Sequence, residues 1–230
     1  MIGLDGYGES LMMGVLNTIQ ISGYSLGIGL CLGMAGAAAK LSGHKMLRGA
    51  ADGITSFIRG IPELLFVLAV YLGSSVAIND AALYFGYTEY IELDAFWAGV
   101  VALSIIFGAY ATEVFRGAIQ AVPKGQTEAA YASGLTPFMT FRKVILPQMW
   151  RIALPGLGNL FLVLLKNTAL LSVIGVQELM RKTGSAVGFT KKPFLFYLAA
   201  TFLYLILTAI SMVVMEWLEK KSQRGIRKVL

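Results

Sequence analysis

Several groups of residues in this 230-residue chain have types and spacings that suit chemistry. Glu113 and Arg116 stand three apart, which on a helix puts a carboxylate and a guanidinium on one face. At the end of an apolar run, such a pair is either a structural ion pair or part of a polar pathway. Gly23-Tyr24-Ser25-Leu26-Gly27 has the Gly-x-Ser-x-Gly spacing of a hydrolase nucleophile. That chemistry also needs a strand-to-helix turn, a basic partner and an orienting acid. Here Ser25 sits in the middle of an apolar run, and the sole histidine, His44, lies past its end. Gly23 with Gly27, and Gly29 with Gly33, have the four-residue spacing that lets helix backbones approach, which accounts better for the motif. Arg59-Gly60-Ile61-Pro62-Glu63 joins a turn signal to opposite charges at a span boundary. A kinked, snorkelling opening to the next span and a gate or partner contact both fit it. Between apolar runs lies the polar stretch Thr127-Glu128-Ala129-Ala130-Tyr131-Ala132-Ser133-Gly134. A short helix over residues 126–132 is expected there, ended by a left-handed Gly134 and kept from continuing by Pro137. A second short helix follows, with Pro147 closing it. The segment reads as a docking element.

The elements that position these groups follow from composition. A mean hydropathy of +0.70 with 14% charged residues makes lipid the solvent for most of the chain. Crossing a hydrocarbon core takes about 20 helical residues. Five windows qualify: residues 10–39, 63–78 with helical residues before Pro62, 95–112 continuing towards Gln120, 154–171 interrupted by Lys166, and 193–215. The expected fold is therefore all-α and polytopic, with about five transmembrane helices. The whole chain, residues 1–230, is expected to form one transmembrane domain, with a loop at about 121–150. The first segment lacks a basic n-region and a cleavage site, so it reads as retained. The single Cys31 excludes an internal disulfide or a cysteine metal cluster and reads as small buried filler. No metal site is expected. The +6 charge flanks apolar spans instead of forming a basic arm, which fits membrane orientation and not nucleic acid. No Gly-x4-Gly-Lys-Ser/Thr phosphate loop occurs; the nearest fragment is Gly43-His44-Lys45.

Lysine and arginine asymmetry gives the orientation. The N-terminal tail carries Asp5 and Glu9 but no cation, whereas the next connection holds Lys40, Lys45, Arg48 and Arg59. The N-terminus is expected outside. The acidic connection at 79–94 is then outside and the basic region at 113–151, with the Glu128 loop, inside. Lys220, Lys221, Arg224, Arg227 and Lys228 put the C-terminus inside as well. Odd parity leaves Arg181, Lys182, Lys191 and Lys192 outside, against the rule. Either these cations meet an acidic surface on an extracytoplasmic binding protein, or the topology tolerates them.

The Glu-Ala-Ala of residues 128–130, with Gly134 behind it and Val144-Ile145-Leu146-Pro147 at its end, resembles the EAA loop of ABC-importer permeases, Val144 replacing the usual isoleucine. Arg59-Gly60-Ile61-Pro62 resembles the Arg-Gly-x-Pro opening of polar amino-acid permeases. The run Tyr110-Ala111-Thr112-Glu113 with Arg116-Gly117, then Val122-Pro123-Lys124-Gly125-Gln126, and the segment from Lys166 to Val176 are similar to permeases for histidine, lysine, arginine, ornithine and opines. That resemblance implies a type I ABC importer permease without enzymatic activity of its own. It implies a second permease, a related chain in preference to an identical one, two ATPase subunits that bind ATP and magnesium, and an extracytoplasmic substrate-binding protein. It implies a multi-pass position in the bacterial inner membrane. Glu128, Ala129, Ala130, Gly134, Leu146 and Pro147 are then the ATPase-coupling residues, and Glu113, Arg116, Arg59 and Glu63 candidates for the pathway or its gate. A channel-like or anchoring protein, or a serine hydrolase using Ser25, are the alternatives. The former would not need the Glu-Ala-Ala loop.

Overall fold

A computed structural model describes residues 6–223, all of whose regular structure is helical. Asp5, Arg224, Arg227 and Lys228, used above for orientation, lie outside the described residues. In chain order the helices are α1 (Gly8–Leu41), α2 (Lys45–Gly60), α3 (Glu63–Tyr84), α4 (Ala95–Gln120), α5 (Lys124–Ala132), α6 (Pro137–Thr140), α7 (Leu146–Asn167), α8 (Leu179–Thr190) and α9 (Pro193–Ser222). A π-helical turn at Phe141–Ile145 joins α6 to α7, and a 3₁₀ turn at Thr168–Ser172 follows α7. Five helical stretches are long and apolar enough to cross a membrane: α1, α3, α4, the run Pro137–Ser172 containing α7, and α9.

The core is built around α4. Val100, Leu103, Phe107, Ala111 and Phe115 are almost wholly enclosed, and α1, α2, α3 and α7 pack around them. Asp94 starts this helix by accepting the Phe96 N–H at 2.8 Å, satisfying a donor that the first turn leaves unpaired. The most extensive packing joins α1 to α4, and small residues permit it. A Cβ at Gly29 would stand 2.6 Å from the Phe107 ring, one at Gly33 2.7 Å from the Ala111 methyl, and one at Gly36 would collide with Thr112. Dispersion between closely approaching backbones holds such helices together where lipid is as apolar as the side chains. Of the expected small-residue pairs, Gly29 and Gly33 do this, whereas Gly23 and Gly27 face open space, because the contact stripe drifts round α1. Cys31 is likewise exposed, not buried filler: on a lipid-facing helix an apolar residue gains nothing from burial in protein.

Helix α3 and helix α9 leave most of their surface uncovered in the single chain; Phe196, Ala200 and Leu207 are the enclosed residues of α9. The helical residues before Pro62 form a separate helix, α2, because proline denies the chain a backbone donor and its ring displaces the preceding turn. Leu47, Ala51, Ile54 and Ile58 of α2 line a groove against α1 and α4, while Lys45, Arg48, Asp52 and Arg59 lie off that stripe. Pro147 does not close the second short helix of the polar loop. The chain runs from α6 through the π turn, where the Leu146 N–H reaches the Phe141 carbonyl, directly into α7. Pro147 is the second residue of α7, directly after the π turn, where the regular α-helical bonding ladder is already interrupted.

Candidate functional site

Helix α5 begins after Pro123, two residues earlier than the spacing predicts, and ends at a tight reversal. The Ser133 N–H donates to Ala129 O (3.0 Å), that of Gly134 to Tyr131 O (2.9 Å) and that of Leu135 to Ala130 O (3.1 Å). Gly134 has φ +78°, a left-handed value that a Cβ disfavours, so its glycine is required by the turn. Thr136 then caps α6 by accepting the Met139 N–H. The loop presents Glu128 and Ala129 outwards, whereas Ala130 is buried. Of the two alanines, one thus lies at the surface and the other packs within the chain. Glu128, Lys124 and Thr127 line an open notch with Ile119, Gln120 and Ile145. Leu146 is half-buried and Pro147 exposed at the root of α7.

Near the same end of the bundle, Glu113 is the hub of a charge cluster. Its Oε1 accepts from Lys40 Nζ at 2.5 Å, and its Oε2 from Arg116 Nε and Nη2 at 2.9 and 2.7 Å. Lys40 Nζ also lies 2.9 Å from Asp52 Oδ1, and Arg59 Nη1 lies 4.0 Å from Glu113 Oε1. The Arg59 guanidinium stands 5.3 Å from the centre of the Tyr110 ring, a cation–π geometry. The cluster thus ties α1, α2 and α4 together. Lys40 is only 4% exposed and Glu113 22%, so the attraction is screened far less than at a surface. Among the expected residues, Glu113, Arg116 and Arg59 come together; Glu63 instead borders a small cavity with Tyr110, Leu160 and Asn167. Sequence spacing missed Lys40 and Asp52. Their only signal was position: Lys40 is the first cation after the initial apolar run, and Asp52 is the sole acid of α2.

Ser25 is enclosed and donates to the Val100 carbonyl at 3.2 Å. Its hydroxyl is thus engaged between two packed helices, α1 and α4.

At the other end, the Arg181 and Lys182 segment forms α8, and Lys191 terminates it in a left-handed conformation. Its first turn is capped by Glu178, which is completely buried. The carboxylate accepts the Arg181 N–H (2.7 Å), the Met180 N–H (2.8 Å) and the Tyr204 hydroxyl of α9 (3.1 Å). Desolvation pushes this carboxyl up to about 7 from its ordinary value, outweighing the two backbone N–H groups and the phenol that favour the charged form. Tyr204 faces it from α9 and Thr18 lies beside its helix start on α1. Arg181 and Lys182 follow on its own helix, and Lys166 lines a groove with Met180 and Tyr204. The folded chain retains a proton here up to about pH 7, whereas an unfolded chain loses it near 4.5. Folding at this site is therefore favoured below pH 4.5 and progressively less so as pH rises to about 7, by up to about 3 kcal/mol. Thermal unfolding of the purified complex is expected to show this fall, and Glu178→Gln to flatten it; an unaltered slope in the variant would assign the dependence to other groups.

The family model described as binding-protein-dependent transport system inner membrane component matches residues 29–224. The chain is 42% identical over 226 residues to the octopine transport system permease protein OccQ of Rhizobium radiobacter, covering 98% of this chain and 95% of that one. It is 37% identical over 225 residues to the histidine/lysine/arginine/ornithine transport system permease protein HisQ of Escherichia coli (strain K12), covering 98% of each. Among solved structures, an amino acid ABC transporter crystallised with histidines matches with a TM-score of 0.78 and 33% identity, covering 94% of this chain and 95% of that one. The methionine transporter MetNI in an inward-facing form shares the fold, with a TM-score of 0.77 at 18% identity. With five apolar helices, an EAA-type loop on a glycine turn and these near full-length matches, the chain belongs to the binding-protein-dependent inner membrane components and is a permease subunit of a type I ABC importer.

Proposed function

We propose that this subunit moves a polar, cationic amino acid of the histidine, arginine, lysine and ornithine class, or an opine, across the bacterial inner membrane. The names of its relatives support that substrate class. Residues 1–230 act as one transmembrane permease domain whose coupling loop occupies about 121–150. A second permease, a related chain in preference to an identical one, completes the pathway. Two ATPase subunits bind ATP and magnesium, this chain holding no cofactor, and an extracytoplasmic binding protein delivers the substrate.

The exposed Glu128–Ala129 surface, held by the Gly134 turn, is the observation that carries the coupling assignment. Closure of the ATPase dimer presses on α5. Because Ala130 is packed within the chain and α6 runs without a break through Leu146 and Pro147 into α7, the push reaches a membrane span. Coupling requires that the ATPase contact differ between two global states. The Glu113 cluster suits a gate between them: Glu113, Arg116 and Arg59 tie three helices at one end of the bundle, and Glu63 opens α3 beyond the Pro62 break.

Affinity purification in detergent is expected to bring down an ATPase chain and a second permease, with hydrolysis stimulated by binding protein loaded with a cationic amino acid. Recovery of this subunit without any ATPase would sink the assignment. Orientation has its own check. Single cysteines at positions 181, 182, 191 and 192 are expected to react with an impermeant thiol reagent in intact cells. Labelling only after permeabilisation overturns an outside N-terminus and a cytoplasmic C-terminus. The exposure of Cys31 makes a Cys31→Ser background necessary.

A further inference from the structure

Glu178 is a wholly buried carboxyl group whose side chain accepts from two backbone N–H groups and a phenol, placed where four segments converge. Gly175, at φ +92°, turns the chain after the 3₁₀ segment, and the Glu178 N–H closes onto Val176 O at 2.9 Å. From α1, Asn17 Nδ2 donates to Gln177 O at 2.7 Å and the Thr18 hydroxyl accepts the Leu179 N–H at 3.3 Å. The approach is close: a Cβ at Gly14 would stand 2.9 Å from the Leu179 Cα. From α9, the Tyr204 hydroxyl donates into the carboxylate. Leu179, Thr183 and Ala186 form the buried face of α8, while Arg181 lies on the exposed side.

A helix cap alone does not need this residue. Aspartate caps at least as well, is one methylene shorter, and avoids burying a longer stem. What glutamate adds is reach: one oxygen takes Arg181 N–H, and the other serves Met180 N–H and the Tyr204 phenol of a different span at the same time. We infer that Glu178 is a positioning residue that latches α8, whose start is already bonded to α1 through Gln177 and Leu179, onto α9, so that a load placed on this outer basic helix by a docked binding protein moves the first and last spans as one piece. The inference rests on the proposed outside location of α8 and goes beyond it, since a surface of cations can dock a partner without transmitting anything.

The decisive variants are Tyr204→Phe and Glu178→Asp, both of which keep the backbone cap of α8 and remove the bond to α9. In the reconstituted complex with its ATPase and loaded binding protein, both are expected to leave assembly and basal hydrolysis unchanged. Maximal stimulation by saturating binding protein is expected to fall about fivefold or more, with little change in the half-saturating concentration. Stimulation equal to wild type in both variants would overturn the latch and leave Glu178 a helix cap. Loss of stimulation in Glu178→Asp but not in Tyr204→Phe would also overturn it, since the Tyr204 bond is its core. The docking surface is read separately: Arg181→Glu with Lys182→Glu is expected to raise the half-saturating concentration. If that concentration stays put, α8 is not the docking surface, and the inference fails in its account of the load even where the Tyr204→Phe loss remains.

Discussion

Replacing Gly134 with valine is expected to leave the chain in the membrane while separating it from its ATPase. Gly134 sits at φ +78°, where a β-branched side chain clashes with its own backbone. Holding valine there costs about 1–3 kcal/mol, so the turn opens instead. The bonds that define the end of α5, from Ser133, Gly134 and Leu135 back to Ala129, Tyr131 and Ala130, then lose their register. Ala130→Leu attacks the same loop from within: the methyl is buried, and overpacking it costs about 1–3 kcal/mol. Either strain equals a factor of roughly 5 to 150 in the population of the docking conformation. Uptake in membrane vesicles is expected to fall about tenfold or more in both variants, with less ATPase co-purifying and the amount of inserted subunit unchanged. Normal transport with full ATPase retention in both would defeat the coupling assignment.

Glu113→Gln is expected to produce the other large effect, by a different route. The amide keeps the shape and one acceptor oxygen, and Lys40 retains Asp52 at 2.9 Å, so no cation is left buried without a carboxylate. Assembly should survive. The charge that holds Lys40, Arg116 and Arg59 at one point disappears, however, and the balance between the two states of a gate shifts by the 1–3 kcal/mol typical of coupling energies. Uptake of a cationic amino acid is expected to fall about tenfold, with basal ATP hydrolysis maintained. A purely structural cluster behaves otherwise, because Glu113→Gln and Arg116→Gln then lower complex yield in parallel. Unchanged uptake in Glu113→Gln removes the residue from the mechanism and moves the search to the second permease.

Much of this molecule is determined locally and is therefore legible in the chain. Five apolar stretches must be helices because lipid offers no partner for backbone N–H and C=O groups. Gly134 must end α5 because the turn needs a positive φ, and Pro62 must part α2 from α3 because it supplies no donor. The Glu113–Arg116 pair follows from helical spacing alone. Packing decided the rest. Gly29 and Gly33 meet α4 while Gly23 and Gly27 do not, because which side of α1 faces its neighbour depends on the crossing of two helices. Pro147 begins α7 instead of closing a short helix, because a π turn carries the chain past it. Lys40 and Asp52, 12 residues apart in the chain and more than 60 residues before Glu113, join it only when α1 and α2 fold against α4. Glu178 looks like any loop acid until α1 and α9 close over it. Its burial, its phenol partner and its raised proton affinity belong to the tertiary structure, since desolvation is a property of the surroundings and not of the residue.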